Sequence, residues 1–169
     1  DHVVITGDLT HIGTPRECVE AAQWLREVSA LHPLTLIPGN HDCYIAAPWE
    51  KTLGLWLDTM AGDGRQGQES TRGLFPTLRR RGPLAIIGLS SAVPSPPFFA
   101  SGTLGAAQLQ ELEGLLGQAG RDGLFRLLLV HHPPVPARLD RRRSLTDANG
   151  LQQVLKRAGA ELVLHGHSH

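Results

Sequence analysis

Residues 1–42 read DHVVITGDLTHIGTPRECVEAAQWLREVSALHPLTLIPGNHD, and the succession of patterns within them decides the fold. Asp1 to Thr6 is a β-branched run that stops at Gly7-Asp8, which reads as a buried strand. Thr14-Pro15 then sets an N-cap beside a proline at the first helical position. Cys18, Ala22, Leu25 and Val28 recur at helical spacing with Trp24 among them, so residues 15 to 31 form an amphipathic helix. Leu34 to Ile37 is a second short strand, ended by Pro38-Gly39. Strand, helix, strand is a βαβ unit, and its two strands run parallel.

The alternation continues outward from that unit. Residues 45 to 60, with Trp49, Leu53, Trp56 and Leu57, read as helical, and residues 61 to 73 as a Gly-rich polar loop. Leu84 to Leu89 is a strand, and Ser90 to Thr103, with its prolines, an extended loop. Ala106 to Leu116 is a helix with Leu109, Leu112, Leu115 and Leu116 on one face. Leu124 to Val130 is a buried strand, and Arg138 to Ser144 a basic loop. Thr146 caps a last helix that runs through Arg157, with Gly159 just past its end. Glu161 to Leu164 is the final strand. The three Trp are read as packing residues, and His2 and His32 as surface residues.

Composition bounds the function classes. A chain of 169 residues suits one domain, and 41% hydrophobic with 19% charged residues is ordinary globular content. Lys+Arg and Asp+Glu are both 16, which speaks against a nucleic-acid polymer held by net charge. The longest apolar runs fall far short of the roughly 20 residues that span a bilayer. Cys18 and Cys43 stand in no CxxC or zinc-ribbon spacing and are expected to be free thiols in a cytoplasmic protein. The unusual number is nine His, since imidazole is the commonest metal ligand and a frequent proton carrier.

Polar clusters follow the strands. They are Gly7-Asp8-Leu9-Thr10-His11, Gly39-Asn40-His41-Asp42, His131-His132-Pro133-Pro134 and His165-Gly166-His167-Ser168-His169. In open α/β sheets ligands bind at the carboxyl ends of strands. Asp offers a hard oxygen that can bridge two cations, Asn a neutral oxygen and His a nitrogen. Such a mixed set suits Mn, Fe, Zn, Co or Ni better than Mg or Ca. Two metals about 3.5–4 Å apart can hold a phosphoester and neutralise its transition-state charge. His131 and His132 compete for one ligand role, and His131 is favoured because it leaves the strand first. His165, before the glycine, reads as packing or outer-shell, and His11 as a residue at the substrate mouth. Arg141-Arg142-Arg143 reads as a solvated loop or as a lure for an anionic substrate. No Ser-His-Asp set or Walker loop competes for the chemistry.

GDLTH, GNHD, HHPP and GHSH, in this order and spacing, resemble the calcineurin-like metallophosphoesterase superfamily over nearly the whole chain. Ser90 to Gln108 resembles the bacterial branch related to cyclic-nucleotide and glycerophosphodiester phosphodiesterases. The resemblance implies two mixed β-sheets packed face to face with flanking helices. It implies hydrolysis of a small phosphoester, at two transition-metal ions (Mn, Fe or Zn), by a metal-held hydroxide. By position, Asp8 resembles the bridging carboxylate, and Asn40, His131 and His167 resemble ligands of the second metal. His169 resembles a ligand of the first. His41 resembles the non-ligand His that assists the leaving oxygen, and Asp42 is expected to orient it. The family's earlier Asp-X-His motif has no counterpart here, and the family continues past the position of His169. The chain is therefore expected to be a domain truncated at both ends, with an impaired first metal site. The alternative is a scaffold or binding module on the same fold without turnover.

Overall fold

The computed structural model describes residues 1–64, 71–96, 99–135 and 141–168. Strand β1 (Val3–Ile5) leads into helix α1 (Pro15–Leu31). The helix starts where expected because Thr14 and Glu17 satisfy each other's backbone. The Glu17 amide donates to Thr14 Oγ1 at 3.2 Å, and the Thr14 amide donates to the Glu17 carboxylate at 2.8 Å. The chain returns as β2 (Leu34–Leu36), which pairs with β1 in parallel, Val3 opposite Leu34 and Ile5 opposite Leu36.

The stretch from 45 to 60 departs from the helix expected there. It is a pair of 3-10 turns, Trp49–Lys51 and Leu53–Trp56, followed by the single-turn helix α2 (Leu57–Met60). Thr52, at φ −129° and ψ −118°, breaks the run. The apolar spacing reflects packing on α1: Leu53 and Trp56 are buried, and the Trp56 indole donates to the Cys18 carbonyl at 2.9 Å.

After the short helix α3 (Thr71–Leu74) comes a strand the sequence pattern hid, β3 (Thr77–Arg81). Three successive arginines do not read as a strand. Arg79 is nevertheless buried, and its guanidinium donates to the carbonyls of Leu34, Asp58 and Ala61. It thus satisfies carbonyls at the end of α2 that the helix leaves without partners. β3 pairs antiparallel with β4 (Leu84–Gly88). Helix α4 (Ala106–Arg121), strand β5 (Phe125–Val130), helix α5 (Ala148–Ala158) and strand β6 (Leu162–His165) follow. β4, β5 and β6 are mutually parallel, giving a mixed sheet in the order β3-β4-β5-β6.

Side-chain alternation on the large sheet builds two cores. Ile86 and Leu129 face a core shared with Leu34, Leu36 and the inner face of α1. Ile87, Leu128 and Val130 face the opposite core, made with Leu112 and Leu116 of α4 and Leu151 and Val154 of α5. The result is an α/β fold in which a two-stranded parallel sheet packs on a four-stranded mixed sheet between helices, as the sequence implies.

Three smaller expectations fail. Trp24 is 46% exposed on the outer face of α1 instead of packed. His2 is half-buried instead of a surface residue, with Nε2 2.8 Å from Thr35 Oγ1. Asp147, not Thr146, stands at the start of α5, and neither caps it with a side chain. The Asp147 carboxylate instead accepts from the Leu104 and Gly105 amides, while Thr146 Oγ1 donates to the Gly102 carbonyl at 3.0 Å. Both residues thereby fasten the long loop after β4. Cys18 and Cys43 are free, and burial pushes their thiols up to about 11 and about 12, so neither is a ready thiolate ligand. No helix among the described residues is long and apolar enough to cross a membrane.

Candidate metal centre

The polar clusters come together because two pairs of parallel strands, one pair in each sheet, present their carboxyl ends on one side. Asp8 follows β1, Asn40 follows β2, His131 follows β5 and His167 follows β6. The small sheet supplies two of these residues and the large sheet two. Close approach at this edge requires glycine. A Cβ on Gly39 would lie 2.6 Å from the Asp8 nitrogen and 2.7 Å from His131 Cε1. Gly39→Ala is therefore expected to lower stability by about 2 kcal/mol in urea unfolding and to weaken metal binding with it.

Asp42, 2% exposed, ties the two ends of the small sheet together. One oxygen accepts from the Asp8 and Gly39 amides, both at 2.9 Å; the other accepts from the Thr10 amide at 2.9 Å and the Thr10 hydroxyl at 3.0 Å. This corrects the expectation that Asp42 orients His41. The His41 ring is held elsewhere, its Nδ1 donating to the His11 carbonyl at 2.6 Å. Burial raises the Asp42 carboxyl above its usual range in spite of these donors.

Asp8 and His167 adopt left-handed backbone conformations, φ 62° and 68°, which cost a non-glycine residue about 1 kcal/mol or more each. The turns aim both side chains inward. Asp8 Oδ1 accepts from the His41 amide at 3.0 Å, and Oδ2 lies 3.3 Å from His131 Nε2. Donor atoms of Asp8, His131 and His167 lie within 4.8 Å of one another. The oxygen of the fully buried Asn40 joins them, 2.9 Å from His131 Nε2 and 2.9 Å from His167 Nδ1. Ligands bound at about 2.1 Å around one transition metal stand about 3–3.4 Å apart, so these separations match the edges of a coordination shell.

The outer ring nitrogens supply an independent test of fit. His131 Nδ1 is 2.6 Å from the Thr6 carbonyl, and His167 Nε2 is 3.0 Å from the Arg143 carbonyl. A carbonyl only accepts, so these nitrogens carry the hydrogens, and in a neutral ring the inner nitrogens are bare lone pairs. Two lone pairs, an amide oxygen and a carboxylate then face one another, which a cation resolves. Carbonyl-anchored imidazoles of this kind are the usual outer shell of a metal site. The electrostatics agree. Burial works to raise the Asp8 carboxyl, but His131 and the His41 amide outweigh it and hold it below its usual range. Burial opposes a charged His131, yet its bonds to Asp8 and Thr6 raise it overall; a metal ion would replace that extra proton. Burial and the neighbouring His131 lower His167.

The ring of His132 lies 4.4 Å from that of His167, but its nitrogens bond elsewhere. It is 0% exposed; Nδ1 accepts from Ser91 Oγ at 2.7 Å, and Nε2 donates to the Ala100 carbonyl at 2.9 Å. Burial, with His167 and His131 nearby, pushes it down to about 4, so it is a neutral clasp on the long loop after β4. His11 is exposed, and its backbone carbonyl positions His41. His165 is exposed on β6 and lies outside the clustered donors. His169 lies outside the described residues, as do the central part of the 61–73 loop, Pro97-Phe98 and residues 136–140. The sequence reading passed over Tyr44, whose hydroxyl accepts from Asn40 Nδ2. Its place four residues after Asn40, one helical turn on, was the available signal. A cavity of about 800 Å³ opens over the centre, lined by Asp8, His41, Tyr44, Phe99, Arg143 and His167 among others.

The two-sheet α/β sandwich thus gathers at its strand ends N and O donors that could hold a metal ion. The model for the calcineurin-like phosphoesterase family matches residues 1–169, and the chain belongs to that family. Among curated relatives, it is 31% identical over 173 residues to a 3',5'-cyclic-nucleotide phosphodiesterase of Nostoc sp., covering 100% of this chain and 56% of the relative. It is 29% identical over 173 residues to a probable cyclic nucleotide phosphodiesterase of Rhodococcus erythropolis, covering 100% of this chain and 51% of the relative. The chain thus spans about half the length of the curated relatives it matches.

Proposed function

We propose that this domain carries the catalytic centre of a metal-dependent phosphodiesterase acting on small phosphoesters, cyclic nucleotides foremost. The observation that carries the reading is the convergence of two carbonyl-anchored imidazoles on Asn40 Oδ1 beside Asp8, at the floor of an open cavity. Asp8, Asn40, His131 and His167 would hold one transition-metal ion, Mn, Fe or Zn. Asp8 and His169 would serve a second. When bound, such ions neutralise charge on the phosphoryl oxygens and acidify a water for attack.

The protein residues do the rest. Breaking the P–O ester bond leaves an alkoxide that needs a proton. With Nδ1–H fixed on the His11 carbonyl, His41 exchanges its proton through Nε2, and its ring lines the cavity. It would protonate the departing oxygen and be reloaded from water. The cavity wall supports a substrate with a planar ring. Phe99 is 39% exposed there, and the Arg142 guanidinium lies 5.5 Å from its ring centre. The names of the two relatives support the same substrate class.

The test is hydrolysis of 3',5'-cyclic AMP, a glycerophosphodiester and an aryl phosphomonoester by the protein, with Mn added and with chelator. Turnover led by the cyclic nucleotide and abolished by chelator is expected. His41→Ala should lower kcat by about 10²–10⁴-fold while metal content is unchanged. Equal loss of metal and activity would remove His41 from the proton-transfer role. Metal binding without turnover of any ester would favour the scaffold reading.

A further inference from the structure

Asn40 has a role that its own contacts do not complete. Its amide is fully buried, and its oxygen faces the two inner imidazole nitrogens at 2.9 Å. An amide presents an oxygen at one end and an NH₂ at the other, and rotation exchanges them. His167 Nδ1 is an acceptor because the other ring nitrogen carries the hydrogen toward the Arg143 carbonyl, so in the absence of a cation it favours the NH₂ end. A group must hold the amide nitrogen away from it.

The structure assigns that task to Tyr44. Residues 40 to 44 form one helical turn around the 3-10 segment His41–Cys43, with Asn40 and Tyr44 both at φ −68° and ψ −34°. This places residue 44 over the outer side of residue 40. The Tyr44 hydroxyl accepts a hydrogen bond from Asn40 Nδ2 at 2.5 Å. Tyr44 is thus a positioning residue for a metal ligand. It tethers the nitrogen outward, keeps Oδ1 on the centre and, by accepting from the amide N–H, shifts electron density toward the oxygen so that it is a stronger donor. Its ring packs against His41, with centroids 4.9 Å apart, and lines the cavity, so one side chain borders both the ligand and the proposed proton donor. The inference rests on the reading of Asn40 as a metal ligand.

The experiment is equilibrium binding of Mn²⁺ to the chain, followed by the electron paramagnetic resonance signal of the free ion. It compares the unmodified protein with Tyr44→Phe, Asn40→Ala and the double variant, with thermal unfolding of each as a control. Tyr44→Phe keeps the ring and its contact with His41 and removes only the hydroxyl. It is expected to weaken Mn²⁺ binding about tenfold. In the Asn40→Ala background the same change should have no further effect, since the residue it acts through is gone. Unmodified affinity in Tyr44→Phe, with binding lost in Asn40→Ala, would overturn the inference and leave the metal centre standing. An equal loss from Tyr44→Phe in both backgrounds would also overturn it, by showing a packing role. Unaltered binding in Asn40→Ala, or no binding by the unmodified chain, would overturn the ligand reading and the inference together.

Discussion

Asp8→Asn is expected to lower the affinity for Mn²⁺ or Zn²⁺ by about 100-fold or more, with the fold preserved. Loss of an outer-shell partner alone costs about 10–100-fold in metal affinity. Removing the one carboxylate clustered with the imidazoles among the described residues takes away the negative charge that attracts the cation, so the loss exceeds that range. Asn is the informative replacement. It tolerates the left-handed conformation that Asp8 occupies at φ 62°, and its amide oxygen can still accept from the His41 amide. Stability is therefore expected to stay within about 1 kcal/mol by urea unfolding. Isothermal titration with each metal checks the first quantity. Metal affinity near that of the unmodified chain would remove Asp8 from the centre.

Asp42→Asn is expected to do the reverse: an isosteric change at a residue that need not touch metal, with a large cost to the fold. The carboxylate is 2% exposed and accepts from three backbone amides and a hydroxyl. Replacing either oxygen by NH₂ sets a donor against donors. If Oδ2 is replaced, the Asp8 and Gly39 amides lose their acceptor; if Oδ1, the Thr10 amide does, while the Thr10 hydroxyl can turn to accept and donate to the His41 carbonyl. An unsatisfied buried donor costs about 1–3 kcal/mol, so the loss is about 2 kcal/mol even in the better orientation. Metal affinity should fall as well, because the turn that aims Asp8 is hung from this carboxylate. A melting temperature unchanged from that of the unmodified chain would rule out the clamp.

Much of the architecture was legible because two periodicities alternate cleanly in the first 42 residues. The capping box at Thr14 and Glu17 fixed where α1 begins. Polar residues directly after apolar strands foretold which side of the sheets would carry chemistry. The parts that were missed depend on partners distant in sequence. β3 was hidden because Arg79 is buried for the sake of carbonyls contributed by Leu34, Asp58 and Ala61. The 3-10 turns before α2 mimic helical spacing, since Leu53 and Trp56 pack on α1 without an intervening helix. The reach of Asp42 to the backbone of Asp8 and Thr10 crosses more than 30 positions, and local pattern carries no trace of it. The neighbours His131 and His132 differ because one meets the carbonyl of Thr6 and the other that of Ala100. Order off the strand favours His131 for the centre, but local pattern does not show which carbonyl anchors each ring.

The donors at the centre come in pairs from different sheets: Asp8 and Asn40 from the small one, His131 and His167 from the large one. A cation held by all four would act as a rivet through the sandwich. Sliding one sheet over the other would then require stretching coordinate bonds. Occupancy at 100 times the dissociation constant is worth about 2.7 kcal/mol to the folded state, a large share of the stability of a small domain. Supply of the metal would thus govern the lifetime of the protein as well as its chemistry, and starvation for the ion would present the cell with a looser sandwich, open to proteolysis.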